Sequence, residues 1–297
     1  MIHGAKKMGL PVVIRLSDYF LLCPRFDFMY NKGPCEDCLA KGYRTCIKRR
    51  CVKGSLFASV VRVFSMKVHT LMKVYKDVDA FITPSEFLRD KLSDNGFDAK
   101  KIICIPTFTA SKSKVGEPQI GGYGLYFGRI TEEKGVDTVV KAYEQLPDKY
   151  VKIMGDDTTE EAMRLKAYIA QKKIKNVEFI GFKSGEDLEN VIKEARFTLI
   201  TSIWYDNLPN TALESYQYSK PVIASNIGSL PELVIDGVNG YLFNPGDAEK
   251  LKIKIMKLDD DSIVEQMGAA SRNRLENRFA PAAHYNALMQ VFERVRT

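Results

Sequence analysis

From residue 121 onward, short apolar runs alternate with stretches of helical periodicity. The runs at 123–128, 151–155, 177–181, 197–201 and 222–224 are rich in Val, Ile, Phe and Tyr and predict buried strands. Between them, 134–146, 160–171, 185–194 and 208–218 place apolar residues at helical spacing and predict helices. Strict alternation of this kind builds βαβ units on a parallel sheet, and hence a Rossmann-like domain. Ligands of such domains bind at the carboxyl ends of the strands. Those ends carry Gly128-Arg129, Gly155-Asp156, Gly181-Phe182, Ser202-Ile203-Trp204 and Ser225-Asn226.

The first part of the chain repeats the pattern less regularly. Strands are expected at 11–16, 79–85 and 101–106, a long helix at 55–76 and a shorter one at 86–92. A Ser-, Lys-, Gly- and Pro-rich stretch at 109–119 reads as a linker, and 281–296 as a terminal helix crossing back to the first domain. The fold class expected is α/β with two Rossmann-like domains, an incomplete one at 1–112 and a complete one at 120–280, followed by the helix within 281–297. On a helical wheel of 55–76, Phe57, Val60, Val61, Phe64, Val68, Leu71, Met72 and Tyr75 share one face, and Arg62, His69, Lys73 and Lys76 the opposite one. The apolar face is expected to pack inward and the basic face to look out.

Composition narrows the class without deciding it. With 45% apolar and 27% charged residues in 297, the chain has the balance of a soluble globular protein. No apolar run is long enough to span a bilayer, and the start does not read as a signal peptide, so a cytoplasmic location is expected, on the inner face of the cell membrane. The net charge of +7 is unevenly spread: residues 1–110 hold 19 Lys/Arg against 10 Asp/Glu, leaving 25 against 27 for the rest. Residues 41–76 hold ten basic residues and no acidic one. Such a surface suits an anionic partner, with peripheral contact to an anionic membrane through the basic face as one candidate. A nucleic-acid partner explains nothing in residues 121–240 and is not expected.

The densest chemistry lies in the run from Trp204 to Glu214, which reads as a loop entering a helix. Asn207 is expected to cap that helix, and Pro209 to sit in its first turn, where N–H groups lack intrahelical partners. Asp206 then lies in the loop and Glu214 more than a turn inside, on either side of a helix N-terminus suited to an anion. A nucleotide-sugar offers hydroxyls, a diphosphate and further hydroxyls in that order. A glycosidase pairing fits less well, since its carboxyl groups stand about 5 to 10 Å apart around a single bond.

Gly128-Arg129-Ile130-Thr131-Glu132-Glu133-Lys134-Gly135 resembles the G-R-x-x-x-x-K-G element of the retaining glycosyltransferases of family 4. The stretch from Asp206 to Glu214 resembles their E-x7-E motif, and Lys220-Pro221-Val222-Ile223-Ala224, Gly228, Pro231-Glu232 and 236–240 continue it in order. Ser17-Asp18-Tyr19 through Cys23-Pro24 is similar to a family segment written H-D-Y-x-x-x-C-P. Two departures stand out: Asp206 replaces the usual Glu, and Ser17 the frequent His. Members of the family also open with a strand and a glycine-rich loop that this sequence does not show. The resemblance implies a GT-B fold and transfer from a nucleotide-diphospho-sugar to a glycan or lipid-linked acceptor with retention of configuration, in surface polysaccharide or glycolipid synthesis. It implies that Glu214 accepts from the ribose hydroxyls, that Asp206 holds sugar hydroxyls, and that the leaving phosphate takes the acceptor's proton. Arg129 and Lys134 are placed to stabilise the departing diphosphate, joined by Gly128 and the segment Asn207, Leu208, Pro209, Asn210 and Thr211, whose available backbone N–H groups form the helix-terminus anion site. Phe182 and Lys183 are candidates for contact with the base. With side chains neutralising the diphosphate, no cofactor is required for catalysis. The alternatives are an epimerase or phosphorylase of the same architecture, or a nucleotide-sugar-binding fragment without turnover.

The cysteines form a separate group. Cys35, Cys38, Cys46 and Cys51, with Cys23 upstream, fall in one short turn-rich stretch. Four thiolates match a tetrahedral structural zinc, with free thiols and disulfides as the other readings.

Overall fold

The computed structural model describes residues 2–109 and 119–296, so the expected linker lies almost wholly outside the described residues. The chain divides into two compact units, Met1–Thr107 with Ala282–Thr297, and Phe108–Pro281.

In the first unit three strands, β1 (Val13–Arg15), β2 (Ala80–Thr83) and β3 (Ile102–Cys104), form a parallel sheet in the order β1-β2-β3. Every residue of the central β2 is buried, which is why its sequence is continuously apolar up to Thr83. Ser85 ends the strand and caps the helix Glu86–Asp94, accepting the Leu88 N–H at 3.2 Å. The terminal helix Pro281–Arg296 lays Val291 against Ala80, Ile82 and Ile105.

The helix Leu56–Leu71 overturns an expectation. Its buried residues are Ser59, Val63 and Met66, whereas Phe57, Phe64, Leu71 and the following Met72 are 79%, 68%, 83% and 69% exposed. The side expected to face solvent is the one that is tied down: Arg62 donates to the Phe20 carbonyl at 2.8 Å, and His69 hydrogen-bonds the Tyr75 hydroxyl at 3.2 Å. A guanidinium that finds a backbone carbonyl can turn inward, and here it holds the apolar stripe outward.

The second unit carries six parallel strands: β4 (Tyr123–Phe127), β5 (Tyr150–Met154), β6 (Val177–Phe179), β7 (Ala195–Ile200), β8 (Val222–Ser225) and β9 (Gly240–Phe243). Their order is β9-β8-β7-β4-β5-β6, so the chain winds outward from β4 in one direction and from β7 in the other. That is the doubly wound Rossmann order, and the α/β fold class expected from the alternation is the one observed. Val136, Val139, Val140 and Tyr143 of the helix Val136–Glu144 are buried with Ile153 of β5 and Leu199 of β7. β9 and the helices Ala248–Met256 and Asp261–Arg278 extend the unit beyond the strands legible in the sequence.

Candidate active site

The carboxyl ends of β4 and β7 are neighbours at the point where the strand order reverses, and the two loops leaving them meet there. Gly128 ends β4 with its N–H on the Met154 carbonyl at 3.0 Å. The chain then makes a short 3-10 turn over Glu132–Lys134 and reaches Gly135 at φ +65°. A Cβ at Gly135 would lie 2.1 Å from the Thr201 carbonyl oxygen, so only glycine lets this loop close on the end of β7. Two bonds seal the contact, Thr201 Oγ1 to the Lys134 carbonyl at 3.0 Å and the Ile203 N–H to the Glu133 carbonyl at 2.9 Å.

That closure delivers Lys134 to Asp206. Its Nζ donates to Asp206 Oδ2 at 2.6 Å, and the Ser202 hydroxyl donates to the same oxygen at 2.7 Å. The pair is largely shielded, with side-chain exposures of 17% and 9%. The ammonium also sits 5.4 Å from the centre of the Trp204 ring. Among the described residues Asp206 Oδ1 has no hydrogen-bond partner, and an ammonium has three donors to give. The pair therefore fixes its own geometry while keeping one acceptor and two donors for a ligand.

The loop beyond is built differently from the expectation. The helix runs Asn210–Gln217 with Pro209 as its N-cap, so Asn207 does not cap it. Leu208 adopts φ +56°, is 4% exposed, and gives its N–H to Ser229 Oγ at 2.6 Å. This left-handed turn ahead of Pro209 delays the helix. Ser229 also donates to the Asp206 carbonyl at 2.8 Å. At Gly228 (φ +58°) a Cβ would come within 3.0 to 3.2 Å of the backbone of Tyr205 and Asp206. Ser202 and Ser229, both buried, are thus the positioning residues that the motif reading missed. The only local signal for Ser202 was its place at a strand end.

Glu214 lies one turn into the helix, half-buried, and burial alone pushes its carboxyl above the ordinary value. Among the described residues no group donates to it. Arg129 extends 65% of its side chain into solvent, with Glu133 3.7 Å away. Phe182 is 74% exposed just past β6, and Lys183 beside it is half-buried. Gly155 N–H bonds the Gly181 carbonyl at 3.1 Å, which ties that tip to the end of β5. The structure thus joins Lys134 to Asp206 directly, but shows no hydrogen bond linking Arg129, Phe182, Lys183 or Glu214 to that pair. A separate cavity of about 720 Å³ in the first unit is lined by Leu22, Met66, His69, Tyr75, Phe97 and Lys101 among others, and by none of the expected donor-site residues.

The thiols gather, with Cys23, Cys35, Cys46 and Cys51 all acting on Cys38. Among the described residues no three Cys, His, Asp or Glu groups are placed to hold an ion. Cys35 faces the Arg49 guanidinium at 3.4 Å, Cys46 is fully buried and bonds Cys51, and all are free thiols. Burial pushes Cys38 up to about 11 and Cys46 to about 12.

A family model described as "Glycosyl transferases group 1" matches residues 108–277, more than half of the chain. The chain belongs to the group 1 glycosyl transferases. Among the relatives of this group 1 member is an uncharacterised glycosyltransferase of Methanocaldococcus jannaschii, 24% identical over 215 residues, which cover 72% of this chain and 59% of the relative. A lipopolysaccharide core biosynthesis glycosyltransferase of Rhizobium meliloti is 24% identical over 75% of this chain and 66% of its own length. The chain therefore spans less than two thirds of either relative. In fold it is similar to the Anabaena protein HepE crystallised with UDP, at a TM-score of 0.72 and 18% identity over 99% of this chain and 74% of that one. The same protein has also been crystallised with UDP-glucose.

Proposed function

We propose that this group 1 glycosyl transferase moves a sugar from a nucleotide-diphospho-sugar to a glycan or lipid-linked acceptor, with retention of configuration, in the synthesis of a surface polysaccharide or lipopolysaccharide. The observation that carries the reading is the Lys134–Asp206 pair, held at the switch point of the second sheet with a carboxylate oxygen and ammonium donors that no described residue engages. Glycosyl transfer from such a donor leaves positive charge on the anomeric carbon and negative charge on the departing diphosphate. Arg129 and Lys134 stabilise the diphosphate, with the amides at the start of the helix Asn210–Gln217 adding a fixed dipole. Asp206 Oδ1 accepts from a sugar hydroxyl, and Glu214, without a partner among the described residues, accepts from the ribose. Phe182, exposed just past β6, and Lys183 contact the base. The leaving phosphate takes the acceptor's proton, so no further general base is needed. The names of the Rhizobium relative and of the Anabaena complexes support the product class and the choice of uridine nucleotides as first probes.

The test is a thermal-shift screen of nucleotide-sugars against the chain and its Glu214→Ala variant. A shift by at least one nucleotide-sugar that the variant loses is expected. Equal shifts in both would refute the ribose assignment, and no shift with any nucleotide-sugar would refute the donor site.

A further inference from the structure

The exposed stripe on the helix Leu56–Leu71 plays no part in the donor chemistry. Phe57, Val60, Val61, Phe64 and Leu71 occupy a continuous outward arc, and Met72 extends it past the helix end. Bonds at the start and along the inner side of the helix hold the arc outward. Ser55 caps the helix by accepting the Ala58 N–H at 3.2 Å, Ser59 accepts the Val52 N–H at 3.1 Å, and Arg62 is anchored on the opposite side. Sixteen residues give a rod about 24 Å long, and no described helix is long and apolar enough to cross a membrane.

The charge around the stripe says what could cover it. Arg44, Lys48, Arg50, Lys53, Lys67 and Lys73 are exposed, and none has an ion-pair partner among the described residues. Lys67 borders the arc on the helix itself, and residues 41–76 include no carboxylate. Packing against a second copy would set these cations against their own kind, which disfavours self-association. A nucleic acid would use the cations but leave the phenylalanines in water. A surface with negative headgroups above a hydrocarbon layer uses both.

We propose that the outward face of the helix Leu56–Leu71 inserts into an anionic lipid surface, with the flanking lysines and arginines seated among the headgroups. This inference is independent of the sugar-transfer reading and holds or fails without it.

Co-sedimentation of the whole chain with vesicles tests it. Binding is expected to vesicles of phosphatidylcholine with phosphatidylglycerol, and to be at least about tenfold weaker on phosphatidylcholine alone. The variant Phe57→Ser/Phe64→Ser/Leu71→Ser is expected to lose at least about tenfold in partitioning with an unchanged circular-dichroism melt, because all three side chains are already in water. As a second readout that keeps the face intact, the emission of Phe64→Trp is expected to shift to the blue on adding the anionic vesicles. No binding to anionic vesicles, undiminished binding by a folded triple variant, or an unshifted Trp emission would each overturn the proposal. So would a dimer that the triple variant dissolves without any effect on vesicles.

Discussion

Glu214 is a carboxylate that the second unit half-buries without a counter-charge among the described residues. Its carboxyl is desolvated and unpartnered among the described residues, so its proton is held more tightly in the folded chain than in the unfolded one. Between the ordinary value of 4.5 and the raised folded value, the native state binds more protons, and stability falls as pH rises through that window. Above it the cost is fully present. Glu214→Gln is therefore expected to raise the melting temperature at pH 7.5, by an amount that shrinks to nothing as the pH is lowered past 4.5, as scanning calorimetry would show. The same variant should bind UDP-glucose at least about tenfold more weakly, because a charged acceptor has been removed from the ribose. Lys134 and Asp206 are paired rather than isolated. Each shields the other, so Lys134→Met should cost about 3 kcal/mol in urea unfolding, and adding Asp206→Leu should recover more than half of it. The two carboxylates were legible as a motif. Their different states were not, because the Lys134–Asp206 bond joins residues 72 positions apart and exists only once β4 and β7 are adjacent.

At the scale of elements, the loop between β7 and the helix Asn210–Gln217 owes its shape to a segment about twenty residues further on. Ser229 satisfies the Leu208 N–H and the Asp206 carbonyl with one hydroxyl, which makes the left-handed turn at Leu208 tolerable. Ser229→Ala is expected to cost about 1 to 2 kcal/mol and to weaken donor binding without touching the donor, the two being read by urea unfolding and nucleotide titration. This also explains the misplaced cap. Asn207-Leu208-Pro209 carries good local signals for a helix start, but the capture of the Leu208 N–H by a distant serine moved the start to Asn210. The helix Leu56–Leu71 teaches the complementary lesson. Periodicity correctly gave an amphipathic helix, yet it could not say which face the rest of the unit would accept. Ser59, Val63 and Met66 make a narrow inward strip, and the wide apolar stripe was left outside. In the second unit β8 was read well because it is buried on both faces and almost wholly apolar; β9, introduced by Val238-Asn239-Gly240, was not read although it is largely buried, because glycine and asparagine interrupt the apolar signal at its start.

At the scale of the molecule, the residues assigned to the donor all fall within Phe108–Pro281, whereas the excess of positive charge and the exposed apolar stripe of the helix Leu56–Leu71 fall in the other unit. The second unit is also closed on itself near its boundaries: the Thr109 N–H bonds the Phe279 carbonyl at 3.3 Å, and Gln217 Nε2 reaches Thr109 Oγ1 at 3.0 Å. Phe279 is 1% exposed, so the end of the helix Asp261–Arg278 is locked into that unit's own core with Leu213, Leu230 and Leu275. Units whose ends meet and whose core is their own fold independently as a rule. A fragment of residues 108–281 is therefore expected to be monomeric, to melt cooperatively, and to bind UDP within about threefold of the whole chain by calorimetric titration. It should not sediment with anionic vesicles, since the basic, apolar-faced helix is absent from it. Retained UDP binding with lost vesicle binding would separate the two surfaces in one experiment. A folded fragment blind to UDP would mean that the nucleotide needs residues outside Phe108–Pro281, and would move the base and ribose contacts away from Phe182, Lys183 and Glu214.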